Sequence, residues 1–257
     1  MEKDGIKFHF EMAAKAHTYK RMLAYVLTIA VYTGNGIYML DSRRVNEDVL
    51  QDPLVRRFLH MQYRYFTCWN FFNMMLHAAV GLVCELLILS NSKTPGYKLP
   101  KHLKGFKDTL FAAILFPSTL VVTTVFWSLF NYDRDLILPV FVDKVLTPTS
   151  NHIIHTLIVP FVVWEVYYQP RTPPKSHTRY LVWFTVYVSM YLSVLFYTYY
   201  KSNVWLYPIF GKLYATVYFP LLVIALVLLG IVCYYTQWVL TSIFWNLPVK
   251  SGRRKVK

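Results

Sequence analysis

A chain of 257 residues that is 56% hydrophobic and 18% aromatic, with 21 Tyr and 7 Trp, is too apolar for a soluble domain and suits an integral membrane protein with interfacial aromatic belts. Its formal net charge of +14 does not argue for nucleic acid, because the basic residues fall between apolar runs rather than on one soluble face. Cys68, Cys84 and Cys233 lie inside those runs, with no zinc spacing and no extramembrane partner for a disulfide.

In chain order, residues 1–20 read as a short polar arm without a cleavable signal, and the apolar patch at 8–14 is too short to span a bilayer. A first span is predicted over 21–40. Gly34-Asn35-Gly36 in its far half are small enough to let a neighbouring helix come close. Residues 41–64 read as a charged loop. The second span, 65–89, places Thr67, Asn70, Met74, His77, Gly81 and Glu85 at three-four spacing and therefore on one face. That face is either a helix–helix seam held by polar side chains or the wall of a cavity.

Residues 90–107 form a loop with five lysines and no acid, and the third span covers 108–130. Pro117 predicts a kink in it. The run Asn131-Tyr132-Asp133-Arg134-Asp135 that follows reads as an interfacial ion pair. The fourth span, 150–168, opens on Asn151-His152-Ile153-Ile154-His155-Thr156. Ionisable groups are costly in hydrocarbon, so two histidines at the mouth of a span mark either a site or an interfacial anchor. Asn151 and His155, four apart, share a face. The ring of Pro160 conflicts with the carbonyl of Thr156 and predicts a bend beside His155. A Pro-rich connection leads to a fifth span, 179–200, and then to a sixth, 217–245, long enough to tilt.

The expectation is thus an all-α, polytopic membrane protein with six transmembrane helices. It is a single integral membrane domain over 1–257, with 1–20 and 249–257 as tails. The connections on the side of the termini hold 18 of the 27 basic residues, which puts both termini in the cytosol. Thr67 and His155 then lie at similar depth below the same boundary. A hydroxyl and an imidazole so placed can form a nucleophile–base pair. The terminal Arg253-Arg254-Lys255-Val256-Lys257 fits either an endoplasmic reticulum retrieval signal or simple basic anchoring at the plasma membrane or elsewhere.

Phe116-Pro117, Val125-Phe126-Trp127, Tyr132-Asp133-Arg134, Pro139, Asn151-His152, His155-Thr156 and Pro160-Phe161 together resemble, in order and spacing, the androgen-induced membrane protein family. The resemblance is clear over 63–208. It implies hydrolysis of fatty-acid esters of hydroxy fatty acids by a threonine and a histidine. On the motifs, these are Thr67, in Arg64-Tyr65-Phe66-Thr67, and His155, the second histidine of Asn-His-x-x-His. An acidic residue that some relatives carry three positions after the threonine is Asn70 here. Asn70, Asn151 and His152 are candidates to orient His155 or to stabilise an oxyanion. No cofactor or metal is expected. The partners are a lipid ester drawn from the bilayer and the membrane lipids, with no nucleic acid. The rival readings are a transporter using His77, Glu85 and His155 as a relay, and a non-enzymatic lipid-binding regulator.

Overall fold

The computed structural model describes residues 2–41 and 45–245, with side chains from residue 16 onward. The basic C-terminal tail lies outside these residues. Every described element is helical, as required of apolar segments whose backbone groups find no water to bond. Among the described residues, five helices are long and apolar enough to cross a membrane: Ala16–Leu40, Phe66–Ser90, Lys101–Leu136, Thr178–Ser202 and Tyr218–Phe244.

Besides the 90–107 loop, whose end is already helical from Lys101, three boundaries depart from the sequence reading. The first helix, α1, runs unbroken over Glu2–Leu40, so the predicted polar arm continues the first span. The charged stretch after it is mostly helical: α2 covers Glu47–Gln51 and α3 covers Pro53–Met61. Asp52 caps α3 by accepting from the Leu54 N–H at 2.9 Å. Third, the fourth predicted span is not one helix. Its halves are α7, Pro148–His155, and α8, Ile158–Tyr168. Pro160 has no N–H for the Thr156 carbonyl, which takes the Val159 N–H instead at 3.2 Å. Upstream, the N–H groups of Thr156 and Leu157 both bond to the His152 carbonyl, at 2.8 and 2.9 Å. The chain therefore turns directly after His155.

The remaining long helices are α4 (Phe66–Ser90), α5 (Lys101–Thr109) running on into α6 (Phe116–Asp133), α9 (Thr178–Ser202) and α11 (Tyr218–Phe244), with a short α10 at Pro208–Leu213. Between α5 and α6, residues Leu110–Leu115 form a π-helical turn. The wider turn absorbs the misfit of Pro117 with the carbonyl four residues back, that of Ala113.

Packing places α1 along α4 and α8, and α11 along α6 and α8. The core joins Tyr32, Met74, Phe111, Phe116, Ile158 and Val162. On α11, Leu221, Ile224, Leu228, Val232 and Val239 point outward with more than half of their surface uncovered. Such a stripe is a liability in water and a natural lipid-facing surface in a bilayer. A second cluster gathers Val55 of α3 with Phe126, Leu138, Val142 and Leu146. It seats α3 and the turn at 140–144 as a cap over one end of the bundle. Salt bridges of 2.7 Å from Lys144 to Asp52 and from Arg134 to Asp143 stitch this cap. The Lys144 ammonium, then the Leu54 N–H, hold the Asp52 carboxyl below its usual range.

The close helix approach is not at Gly34 or Gly36. A Cβ on Gly34 meets nothing within 4 Å, and one on Gly36 makes an ordinary 3.6 Å contact with Phe71. Between α1 and α4 the tight site is Gly81 of α4, where a Cβ would lie 2.5 Å from the ring of Tyr25. That ring cannot swing away, because its hydroxyl donates to Glu165. Gly81→Val is therefore expected to lower stability by about 1–3 kcal/mol. Thermal unfolding of the purified protein in lipid nanodiscs measures the loss. An unchanged midpoint would show that α1 and α4 are free to separate.

Candidate functional site

Thr67 stands in the first turn of α4 and His155 in the last turn of α7. Their side chains meet, with Thr67 Oγ1 and His155 Nε2 3.2 Å apart. The other ring nitrogen, Nδ1, lies 2.7 Å from Asn151 Oδ1 and 3.1 Å from the Asn151 backbone carbonyl. A carbonyl oxygen can only accept, so the ring proton belongs on Nδ1 and the Nε2 lone pair faces the threonine hydroxyl.

The ring of His155 is 4% exposed and stacks on Phe126, centroids 3.5 Å apart and planes 7° from parallel. Its backbone carbonyl accepts from Thr123 Oγ1 at 2.8 Å, which ties the end of α7 to α6. On the other side, the Phe66 N–H donates to the hydroxyls of Tyr191 at 3.1 Å and Tyr207 at 2.9 Å. These hydroxyls bond to each other at 3.0 Å and fix the start of α4. The Thr67 N–H, one of the four that any helix leaves open at its start, has no partner among the described residues.

Helix dipoles act on this pair in opposite senses. Thr67 sits at a helix N-terminus, which favours negative charge, and His155 at a C-terminus, which favours positive charge. An alkoxide and an imidazolium are the two species that proton transfer between them would produce.

Thr67 and His155 both line a cavity of about 340 Å³. Its walls are apolar side chains of α3, α6, α9 and α11, among them Phe58, Val122, Leu195, Leu222 and Leu226. That volume lies in the range of small-molecule sites.

The other two sequence candidates stand apart. Asn70 is fully buried one turn deeper on α4, where its Oδ1 accepts from Thr119 at 3.2 Å. It does not line the cavity. His152 is exposed, stacked on Trp127 at 5.0 Å and bonded through Nδ1 to Thr156 at 3.1 Å. Of the three candidates, only Asn151 reaches the histidine.

The lower polar residues of α4 enter a different constellation. Glu85 takes a two-pronged contact from Arg21, both bonds 2.8 Å. Glu165 of α8 is approached by Arg171 at 2.7 Å, Lys107 at 3.6 Å and His77 at 3.7 Å. His77 and Glu85 lie ten and eighteen residues along α4 from Thr67, about 15 and 27 Å. The face predicted from spacing is thus divided: its first turn opens on the cavity and the rest is a polar seam. Glu165 was the missed signal, a carboxylate inside an apolar run. Phe126 stands in the Val125-Phe126-Trp127 motif without a role attached to it, and nothing in the sequence marks Tyr191 and Tyr207 out from the many other aromatic residues.

Comparison with known proteins follows the same outline. The family model described as FAR-17a/AIG1-like protein matches residues 20–242. The androgen-dependent TFPI-regulating protein of Homo sapiens is 32% identical over 152 residues, 59% of this chain and 64% of the relative. The mouse (Mus musculus) protein of that name is 32% identical over 55% of this chain and 60% of its own length. The human androgen-induced gene 1 protein is 27% identical over 54% of this chain and 60% of its own length. The similarity thus spans somewhat under two thirds of these curated relatives. No solved structure is significantly similar to the chain. The extent of the family match decides the affiliation: the chain belongs to the FAR-17a/AIG1-like family.

Proposed function

We propose that the protein hydrolyses fatty-acid esters of hydroxy fatty acids inside the membrane, with Thr67 as nucleophile and His155 as base. The observation that carries this reading is the ordered contact from Asn151 through His155 to Thr67 at the wall of an apolar cavity. His155 Nε2 takes the hydroxyl proton as Thr67 Oγ1 bonds to the ester carbonyl carbon. The oxyanion that forms lies near the open N-terminus of α4, where the Thr67 N–H is free to donate. Asn151 is already engaged with His155, and Asn70 and His152 lie off the cavity.

Collapse of the tetrahedral species breaks the ester C–O bond. The hydroxy fatty acid leaves with the proton returned by His155, and the acyl group stays on Thr67. Water, deprotonated by the same nitrogen, then releases the fatty acid and regenerates the hydroxyl. Phe126 shields one face of the imidazole and Asn151 holds its tautomer. An apolar cavity among helices suits a substrate with two acyl chains that arrives from the lipid. The basic-residue bias supports a setting in the endoplasmic reticulum or plasma membrane with both termini cytosolic.

Covalent trapping tests the reading. A fluorophosphonate probe is expected to add to the peptide containing Thr67 and to leave the His155→Ala variant unlabelled, as read by mass spectrometry. Absence of any adduct on the active-site peptide would favour a non-enzymatic lipid-binding role.

A further inference from the structure

The cap helix α3 presents Leu54, Arg57, Phe58 and Met61 to the cavity, at positions i, i+3, i+4 and i+7 of a single face. Three of these four are apolar. Apart from His155, Arg57 is the only Asp, Glu, Lys, Arg or His among the described residues that line the cavity. Its neighbours at this end of the bundle are engaged: Arg56 with Gln51, Arg134 with Asp143 and Lys144 with Asp52. Among the described residues, Arg57 has no hydrogen-bond or ion-pair partner. Gln62, a second polar group, lines the cavity just beyond α3.

The arrangement of α9 against α4 gives the cavity a direction. Tyr191 bonds at Phe66, beside Thr67, whereas Tyr187 accepts from Asn73, two turns deeper. Phe184, Val227 and Gly230 line the deep part, which is apolar apart from the Ser118 hydroxyl. The cap with Arg57 lies on the other side of Thr67. The threonine therefore stands between an apolar end and an end that carries one guanidinium.

From this arrangement we propose that Arg57 binds the free carboxylate of the substrate, so that the cavity takes acidic lipid esters with the carboxylate at the cap and the acyl chain in the deep end. This rests on the hydrolase reading of the same cavity. Arg57 is exposed at the cavity mouth, and a carboxylate that enters there loses part of its hydration, which a charged donor offsets. A guanidinium supplies that charge together with a planar set of N–H groups matched to two oxygens. Gln62 offers a further amide donor. The chain beyond the ester needs only apolar wall, which α9 and α11 provide.

The test uses wild type, Arg57→Gln and Arg57→Lys in lipid nanodiscs, each given one mid-chain branched ester as the free acid and as its methyl ester. Wild type is expected to favour the acid about tenfold in kcat/KM, the yield of one charge-assisted contact. That ratio is expected to fall to near one in Arg57→Gln and to recover in part in Arg57→Lys. A ratio that is the same in wild type and Arg57→Gln overturns the assignment, including when both substrates decline together. If wild type turns over neither ester, the hydrolase reading fails on its own. Equilibrium binding of the two ligands then decides Arg57: an acid preference present in wild type and lost in Arg57→Gln upholds it, and any other pattern rejects it.

Discussion

Thr67→Ala and His155→Ala are each expected to lower kcat for a branched lipid ester by about 10³-fold, within the contribution of a positioned acid–base group together with its nucleophile. The threonine hydroxyl is a poor nucleophile until its proton has somewhere to go, and the one imidazole in contact is that of His155, 3.2 Å away. Because the two act as a unit, the double variant should be no slower than either single one. Thr67→Ser, which keeps a hydroxyl, should retain measurable turnover. Asn151→Ala leaves the dyad in place but frees the ring to tilt and to change tautomer. A loss of about 10²-fold in kcat is expected there, the usual effect of misaligning a reacting group. Equal turnover by wild type and all the alanine variants would reject the dyad. A loss confined to KM would recast Thr67 and His155 as binding groups.

Glu165→Leu is expected to lower stability by about 3–5 kcal/mol, the range found when one partner of a buried ion pair is removed. Glu165 is 4% exposed and accepts from Tyr25 and from Arg171 at 2.7 Å, with Lys107 at 3.6 Å. Arg171 also lies over the ring of Phe111, 3.8 Å from its centre. Leucine in place of Glu165 would leave two cations facing hydrocarbon with no counter-charge. Glu165→Gln keeps the volume and an acceptor for Tyr25, so its loss should be smaller. The Glu165→Gln loss isolates the charge, and the further loss in Glu165→Leu isolates the hydrogen-bond acceptors. Unfolding in nanodiscs followed by tryptophan fluorescence reads both. A leucine variant as stable as wild type would mean that Lys107 and Arg171 reach water or headgroups on their own.

The seam around Glu165 also bears on the transporter alternative. A relay needs groups that pass a proton along a connected path. Glu85 is paired with Arg21 and His77 lies 3.7 Å from Glu165, both some turns away from His155. What the two ends of α4 share is a helix face, not a contact.

Periodicity shows which face of a helix is polar. It does not show what that face meets. The three-four pattern from Thr67 to Glu85 was plain in the sequence, yet its first turn lines a cavity and its last turn receives Arg21 from α1. The Asn-His-x-x-His motif likewise named three side chains near the site without separating them. Only the break after His155 and the packing of α7 on α6 turn Asn151 and His155 inward and leave His152 against Trp127. Asp41 to Arg64 looked like a loop because its charges hide the short amphipathic face of α3, which becomes visible only when the cavity beneath it is present.

Hydropathy and the length of the apolar runs settle the class of the protein. Long apolar runs can satisfy their backbone only as helices in a bilayer, so the all-helical membrane architecture and five of its spans follow from hydropathy and length. The family likewise could be read from motifs strung along one chain. Tertiary structure alone decided the partners. It replaced the fourth span by two helices meeting at a proline-driven turn, set Thr67 against His155 across 88 positions of sequence, and gathered Glu165 with cations from two other segments. Contacts of that kind depend on how helices are rotated and displaced against one another, and no local pattern of residues fixes those two quantities.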